Sequence, residues 1–346
     1  MNKRALQADI LLLLTACIWG FGFVAQRSGM EYVGPFAFNG IRFILGSLSL
    51  LPFILIRRKR SANSHVKPAP LRRLLLPSLA AGCCIFIAVI LQQFGLLFTT
   101  AGNAGFITGL YVVLTPVFGI FLGRKTGAAT WLGCVFTLVG LFFLSAAGSS
   151  SSINPGDIIT VISALFWTVH VLLIDRLIST TASGGNREAS VIDPVELSAG
   201  QFIVCGILSL ICAFLVEPYI GTVIGGIDSS LLSTGLFAWL PFPALIEALN
   251  TGAMRLSFEA LSPILYGGLG SVGIAYTLQV VAQRNAPPAH ATIILCFEGC
   301  FAAFGGALLL SEKIGAWTLL GFSMMLAGML VSQWEVILRE KVKEKS

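Results

Sequence analysis

Charge is what this sequence has least of. Asp, Glu, Lys and Arg together make up 11% of its 346 residues, where an ordinary soluble domain carries about 25%. Apolar residues take 56%, and the mean hydropathy is +0.88. No water-soluble interior hides that much apolar surface, so a soluble fold is excluded. The chain also lacks a polar stretch long enough to house a soluble sensor or scaffold domain. Neither HExxH nor GxSxG occurs, which removes the usual signatures of metal hydrolysis and serine chemistry. Asp9, Asp157, Asp175, Asp193 and Asp228 fall at the ends of apolar runs or between them, so no two meet in a membrane interior as an intramembrane aspartyl protease requires. The formal charge is +6, but a nucleic-acid partner needs a basic face interleaved with aromatics, and the charges here separate apolar runs instead. Cysteine is not scarce, but ligand-like spacing is. All eight cysteines lie inside apolar runs as small packing side chains, and neither a metal nor another cofactor is expected.

What is present is apolar sequence in lengths that cross a hydrocarbon core as helix, about 20 residues each. Such windows fall at residues 9–26, 36–56, 74–98, 102–122, 128–147, 157–176, 195–216, 263–284, 288–310 and 316–336. The segments between them are short and rich in Gly, Pro, Asn, Ser or charge. The expectation is an all-α integral membrane protein of ten transmembrane helices. Lys3 and Arg4 before Ile10 to Leu14 have the outline of a signal peptide, and Leu14-Thr15-Ala16-Cys17 resembles a lipoprotein box. The apolar stretch runs on through Trp19 to Ala25, which reads as a retained first helix.

Ten spans place both termini on one side. With that side cytoplasmic, it holds 18 of the 22 basic residues, the other side holds Arg27, Arg255 and Lys313, and Arg42 lies within a span. Positive charge gathers where translocation is resisted, so both termini are expected in the cytoplasm. Residues 217–262 are irregular: an apolar stretch from Leu231 to Leu249 is interrupted by Pro241 and Pro243 and carries Glu247. An eleventh span there would put the basic tail outside. The segment therefore reads as an outer-face insertion, either a structural cover or a lid.

The two halves repeat. Asp9, Ile10, Ala16 and Trp19 match Asp157, Ile158, Ala164 and Trp167 at an offset of 148. Pro35, Phe43 and Ile44 match Pro194, Phe202 and Ile203 at 159. Leu122, Lys125, Gly127, Gly133, Leu138 and Gly140 match Leu310, Lys313, Gly315, Gly321, Leu326 and Gly328 at 188. Each half has five helices, an odd number, so the second enters the membrane from the opposite side. The expected organisation is a first repeat over residues 1–147, an outer linker at 148–156 and a second repeat over 157–346 that carries the insertion. Inverted repeats of this kind are common among secondary transporters, with the site near the midplane.

Ala16 to Gly20, Pro35 through Arg42, Thr99 to Gly109 with Pro116 and Gly123-Arg124, and Leu295 to Glu312 closing with Gly315 resemble the drug/metabolite transporter superfamily, EamA type. The resemblance covers nearly the whole chain apart from residues 217–262. It implies a basket of helices around a central cavity, carrying amino acids or other metabolites, usually outward, in bacterial inner membranes. Gly299 stands where the family often has Pro after the ninth-helix Glu.

Eight residues are candidates for the substrate or ion pathway. Glu298 lies near the midplane of its window, where a charged carboxylate costs several kcal/mol unless paired, hydrated or protonated. It reads either as a site for a proton or a substrate amine, or as a protonated carboxyl bonded to a neighbour. Arg42 lies about 9 Å below the outer surface at helical rise. It would anchor a substrate carboxylate, pair with Glu298, or snorkel to the interface. Its repeat-mate is the uncharged Gln201. Trp19 and Trp167 fall mid-span rather than in the interfacial belt, as facing cavity walls or as core. Asn39, Gln92 and Gln279 are span polar groups suited to a hydrated path. Asn103 and Gln93 share that character, His170 reads as a structural histidine, and Gly105 with Gly109 reads as a packing seam. The expected function is secondary transport, with export favoured, of a small solute. Amino-acid-like solutes lead, and drug-like cations or nucleobases are the alternative, with a proton as an optional partner and the lipid bilayer as the environment.

Overall fold

The computed structural model describes residues 3–30, 32–61, 71–98, 101–124, 126–146, 155–182, 192–216, 258–309 and 315–343. Among them every regular element is helical, and all ten apolar windows contain helix. The first three are long: α1 (Lys3–Gly29), α2 (Pro35–Ser61) and α3 (Leu71–Phe98). The fourth window is split into α4 (Ala101–Thr108) and α5 (Tyr111–Phe121). Then follow α6 (Ala128–Ala146), α7 (Pro155–Ala182) and α8 (Pro194–Leu215). The eighth window holds α9 (Phe258–Leu265), a π-helical stretch Tyr266–Tyr276 and α10 (Thr277–Ala282). The ninth is split into α11 (Pro288–Leu295) and α12 (Phe297–Leu309), and α13 (Ala316–Lys343) closes the chain.

Helix starts follow local chemistry. Pro35, Pro155, Pro194 and Pro288 each open a helix, where a missing N–H costs nothing because first-turn donors have no intrahelical acceptor. Asp193 caps α8 by accepting from the Val195 N–H at 2.8 Å. At the end of α5, Gly123 takes φ +72°, a left-handed turn that a side chain would strain.

Seven helices are long and apolar enough to cross a membrane, and three shorter apolar ones lie at Tyr111–Phe121, Ala128–Phe143 and Leu319–Ser332. The insertion read at 217–262 lies outside the described residues up to 257. Its last five residues, Phe258 to Ser262, form the first turns of α9, with Pro263 inside that helix.

The packing exchanges the two halves. α1 packs on α12 as α7 packs on α4 and α5, and α2 packs on the π-helical stretch as α8 packs on α3. α2 meets α8 directly, and α6 meets α13. The last pair shows why glycine recurs there. A Cβ on Gly133 would stand 2.7 Å from the Gly328 carbonyl oxygen, and one on Gly140 would stand 2.7 Å from that of Gly321. The contacts run in opposite directions along the two helices, which are therefore antiparallel with backbones touching.

Ion pairs gather at one end of the bundle. Arg58 grips Glu196 with two bonds, at 2.7 and 3.0 Å, and Arg57 lies 3.0 Å from Asp193, tying α2 to α8. Arg124 is paired with Asp175. His290 bridges Asp9 and Ser332, each at 3.0 Å, joining α1, α11 and α13.

Candidate functional site

The breaks in the fourth and ninth windows come together in the core. By the repeat offset of 188 the first break, at Gly109 and Leu110, maps onto Phe297 and Glu298, just beyond the second break at Cys296. Cys296 donates its thiol to the Gly109 carbonyl oxygen at 3.4 Å, bridging the breaks. Discontinuous helices of this sort free backbone and side-chain groups at membrane depth, which is tolerated where they line a cavity or are buried in protein.

Beside this junction lies a small, partly open cavity. Glu298, in the first turn of α12, is 4% exposed and accepts from the Tyr111 hydroxyl at 3.4 Å. Tyr111 opens α5, so acid and phenol come from the two broken windows. Gln92 on α3 lines the cavity and donates to the Thr108 hydroxyl at 3.1 Å. Gln26 and Gln279 line it with their Oε1 atoms buried and without a hydrogen-bond partner.

One wall is aromatic. Trp19 and Trp167, repeat-mates, stand with ring centroids 6.3 Å apart. Tyr276, at the end of the π-helical stretch, packs on both, at 4.5 Å from Trp19 and stacked at 5.8 Å on Trp167. Behind it a second repeat-related pair, Phe43 and Phe202, meets at 5.9 Å, and Tyr276 touches each of those rings as well. Residues that touch their own repeat-mates lie near the axis exchanging the halves, so Tyr276 sits at the centre. The Trp19 indole N–H donates to the Ser271 carbonyl oxygen at 3.2 Å, holding that ring against the π-helical stretch.

Five of the eight candidates read from sequence therefore line one cavity: Trp19, Trp167, Gln92, Gln279 and Glu298. Three do not. Arg42 is 1% exposed, donates from Nε to Asn39 Oδ1 at 2.8 Å, and lies over the rings of Phe38 and Phe43 at 5.5 and 5.2 Å. It neither snorkels to the interface nor pairs with Glu298, whose described partner is Tyr111. Asn39 spends its Oδ1 on that bond, and its Nδ2 is buried without a partner. Gln201 accepts with its Oε1 from the His170 Nε2–H at 2.9 Å and is fully buried. His170 is satisfied at Nε2 while its Nδ1 has no partner. Among the described residues, Glu298 is thus the single Asp, Glu, Lys, Arg or His lining the cavity.

Sequence reasoning missed Tyr111, Tyr276 and Gln26. Tyr111 carried one signal, its place two residues beyond the Gly105 and Gly109 pair. Gly105 does make a close approach, its Cβ position lying 3.7 Å from the Gly299 Cα, but Gly109 marks the helix break rather than a second seam contact. Glu312 and Lys313 lie outside the described residues, as does the Asn103 side chain.

Known proteins agree with this architecture. The EamA-like transporter family matches residues 6–146 and 236–333. The second stretch takes in residues 236–262, which the resemblance read from sequence had left out. An uncharacterized transporter of Archaeoglobus fulgidus is 33% identical over 174 residues, half of each chain. The uncharacterized transporter YoaV of Bacillus subtilis is 20% identical over 93% of this chain and 94% of its own. The uncharacterized inner membrane transporter YedA of Escherichia coli is 26% identical over 78% of this chain and 89% of its own. One crystal structure superposes with a TM-score of 0.66 at 15% identity, covering 94% of this chain and 96% of that one, a likeness of fold.

Proposed function

The chain belongs to the EamA-like transporter family, and from that premise we propose that it carries a small metabolite across the membrane by alternating access around the cavity beside Glu298. Its membership and its transporter-named relatives point to a multi-pass membrane transporter rather than an enzyme. The proposal adds ten spans arranged as two inverted five-helix repeats with both termini cytoplasmic, placement in the inner membrane, and outward movement of solute. The observation that carries it is the convergence of repeat-related parts on one place. Two broken helices meet at Cys296 and Gly109, and Trp19 meets Trp167 beside them.

Such a site changes its exposure when one half rocks against the other, while the residues on the axis stay close to the solute. The ion pairs Arg58 to Glu196 and Arg57 to Asp193 hold α2 and α8 together at one end. Opening that end requires breaking them. In this reading Glu298 exchanges a proton for solute, because an ionised carboxylate at membrane depth needs a compensating cation.

Counterflow by the purified chain in liposomes tests it. The parent exchanges solute above empty liposomes and responds to an imposed pH gradient. Glu298→Gln keeps exchange but loses the response. A Glu298→Gln chain that follows the gradient as the parent does contradicts the coupling role.

A further inference from the structure

Resting on the reading of this cavity as the solute site, we infer that its solute is a small organic cation with a flat aromatic body and no carboxylate. The cavity's own chemistry sorts ligands by charge. Glu298 is the one Asp, Glu, Lys, Arg or His among the described residues that line it, and it is negative once its proton leaves. Arg42, the cation that would receive a carboxylate, is turned away: its Nε is bonded to Asn39, Phe38 and Phe43 cover it, and it does not line the cavity.

The uncharged groups sort ligands the same way. Gln26 and Gln279 are 6% and 1% exposed, and each holds an Oε1 acceptor with no partner. A buried acceptor without a donor costs free energy that a ligand N–H recovers once the amide turns to meet it. An ammonium brings up to three such donors to the site, and a carboxylate brings none. The aromatic wall of Trp19, Trp167 and Tyr276 adds electron-rich ring surface, which attracts cations over its faces and stacks with a flat apolar body. An amino acid fits its ammonium and its side chain into this site. Its carboxylate is then buried beside Glu298 with no basic partner, a like-charge neighbour in low dielectric.

Three ligands with the same indole body separate the possibilities: tryptamine, tryptophan and indole-3-propionate, measured by equilibrium binding to the purified full-length chain. Tryptamine is expected to bind, tryptophan to bind roughly 10-fold or more weakly, the penalty of one buried, unpaired charged group, and indole-3-propionate not to bind. This comparison is made on the parent chain, so it does not depend on any variant folding. Glu298→Gln and Gln279→Leu are each expected to weaken tryptamine binding several-fold. Tryptophan bound as tightly as tryptamine, a preference for indole-3-propionate, or binding of none of the three overturns the inference. Tight tryptophan binding that disappears in Trp19→Ala overturns the ligand class alone and leaves the cavity as the solute site. Binding unchanged in both Trp19→Ala and Glu298→Gln removes the site as well.

Discussion

Trp19 and Trp167, 148 positions apart and matched by the internal repeat, stand with ring centroids 6.3 Å apart and planes tilted by 46°. Two aromatic residues that are symmetry-mates and also neighbours mark where the halves of the molecule meet. Because the rings touch each other and share Tyr276, their contributions to solute binding are not independent. Trp19→Ala and Trp167→Ala are each expected to weaken binding, and the double variant to lose less than the two losses together. The coupling expected for such an aromatic pair is about 0.5–1.5 kcal/mol. A double-mutant cycle on solute affinity measures it, and strict additivity contradicts the shared wall.

Tyr111 is the described hydrogen-bond partner of the Glu298 carboxyl. Tyr111→Phe keeps the ring and removes the hydroxyl, leaving a buried oxygen without its donor. The expected cost is about 1–3 kcal/mol, seen as a lower melting temperature without solute. Exchange across liposomes is expected to fall in the same variant. An unchanged melting temperature would show that water or another donor takes the place of the phenol.

The glycine seam makes a purely structural prediction. A Cβ on Gly133 would lie 2.7 Å from backbone oxygen, whereas Gly315 has nothing within 4 Å. Gly133→Leu is expected to force α6 from α13 and destabilise the chain by about 1–3 kcal/mol, while Gly315→Ala changes little. Thermal unfolding followed by monodispersity in detergent checks the pair. Equal stability of both variants contradicts the close approach.

Much of this arrangement was legible in the sequence, and the reasons for the rest are physical. Matched positions such as Asp9 with Asp157 and Gly140 with Gly328 carried the symmetry, because close packing at a seam or beside an axis restricts residue type. Helical rise converts a count along the window into an expected depth, but it says nothing of azimuth. Helices in this bundle are apolar on every side, so no amphipathic stripe says which face turns inward. Arg42 therefore lies over Phe38 and Phe43 of its own helix and does not line the cavity. Tyr276 was hidden for the same reason, and its position also depends on the π-helical stretch, which shifts the register of every residue after Tyr266.

The Arg58 and Glu196 pair offers a stability test of the closed end. Glu196 is 6% exposed, while the Arg58 side chain keeps 30% of its surface in contact with the surroundings. Glu196→Gln is expected to cost about 1–3 kcal/mol, less than breaking a fully buried pair. The exchanged pair, Arg58→Glu with Glu196→Arg, is expected to recover part of that loss. A double exchange no better than the single variant contradicts a specific ion pair there.

Alternating access around a fixed site has one direct consequence for accessibility. In a Gln279→Cys chain, a membrane-impermeant thiol reagent applied to vesicles of each orientation reports which side reaches the cavity, against the background of the parent chain. Adding Arg58→Cys and Glu196→Cys and bridging them first with a short bifunctional reagent holds α2 and α8 together at the end proposed to be cytoplasmic. The account predicts labelling from both sides before bridging, and afterwards labelling from the outer side alone. Labelling from both sides after bridging, or from neither side at any stage, would contradict it.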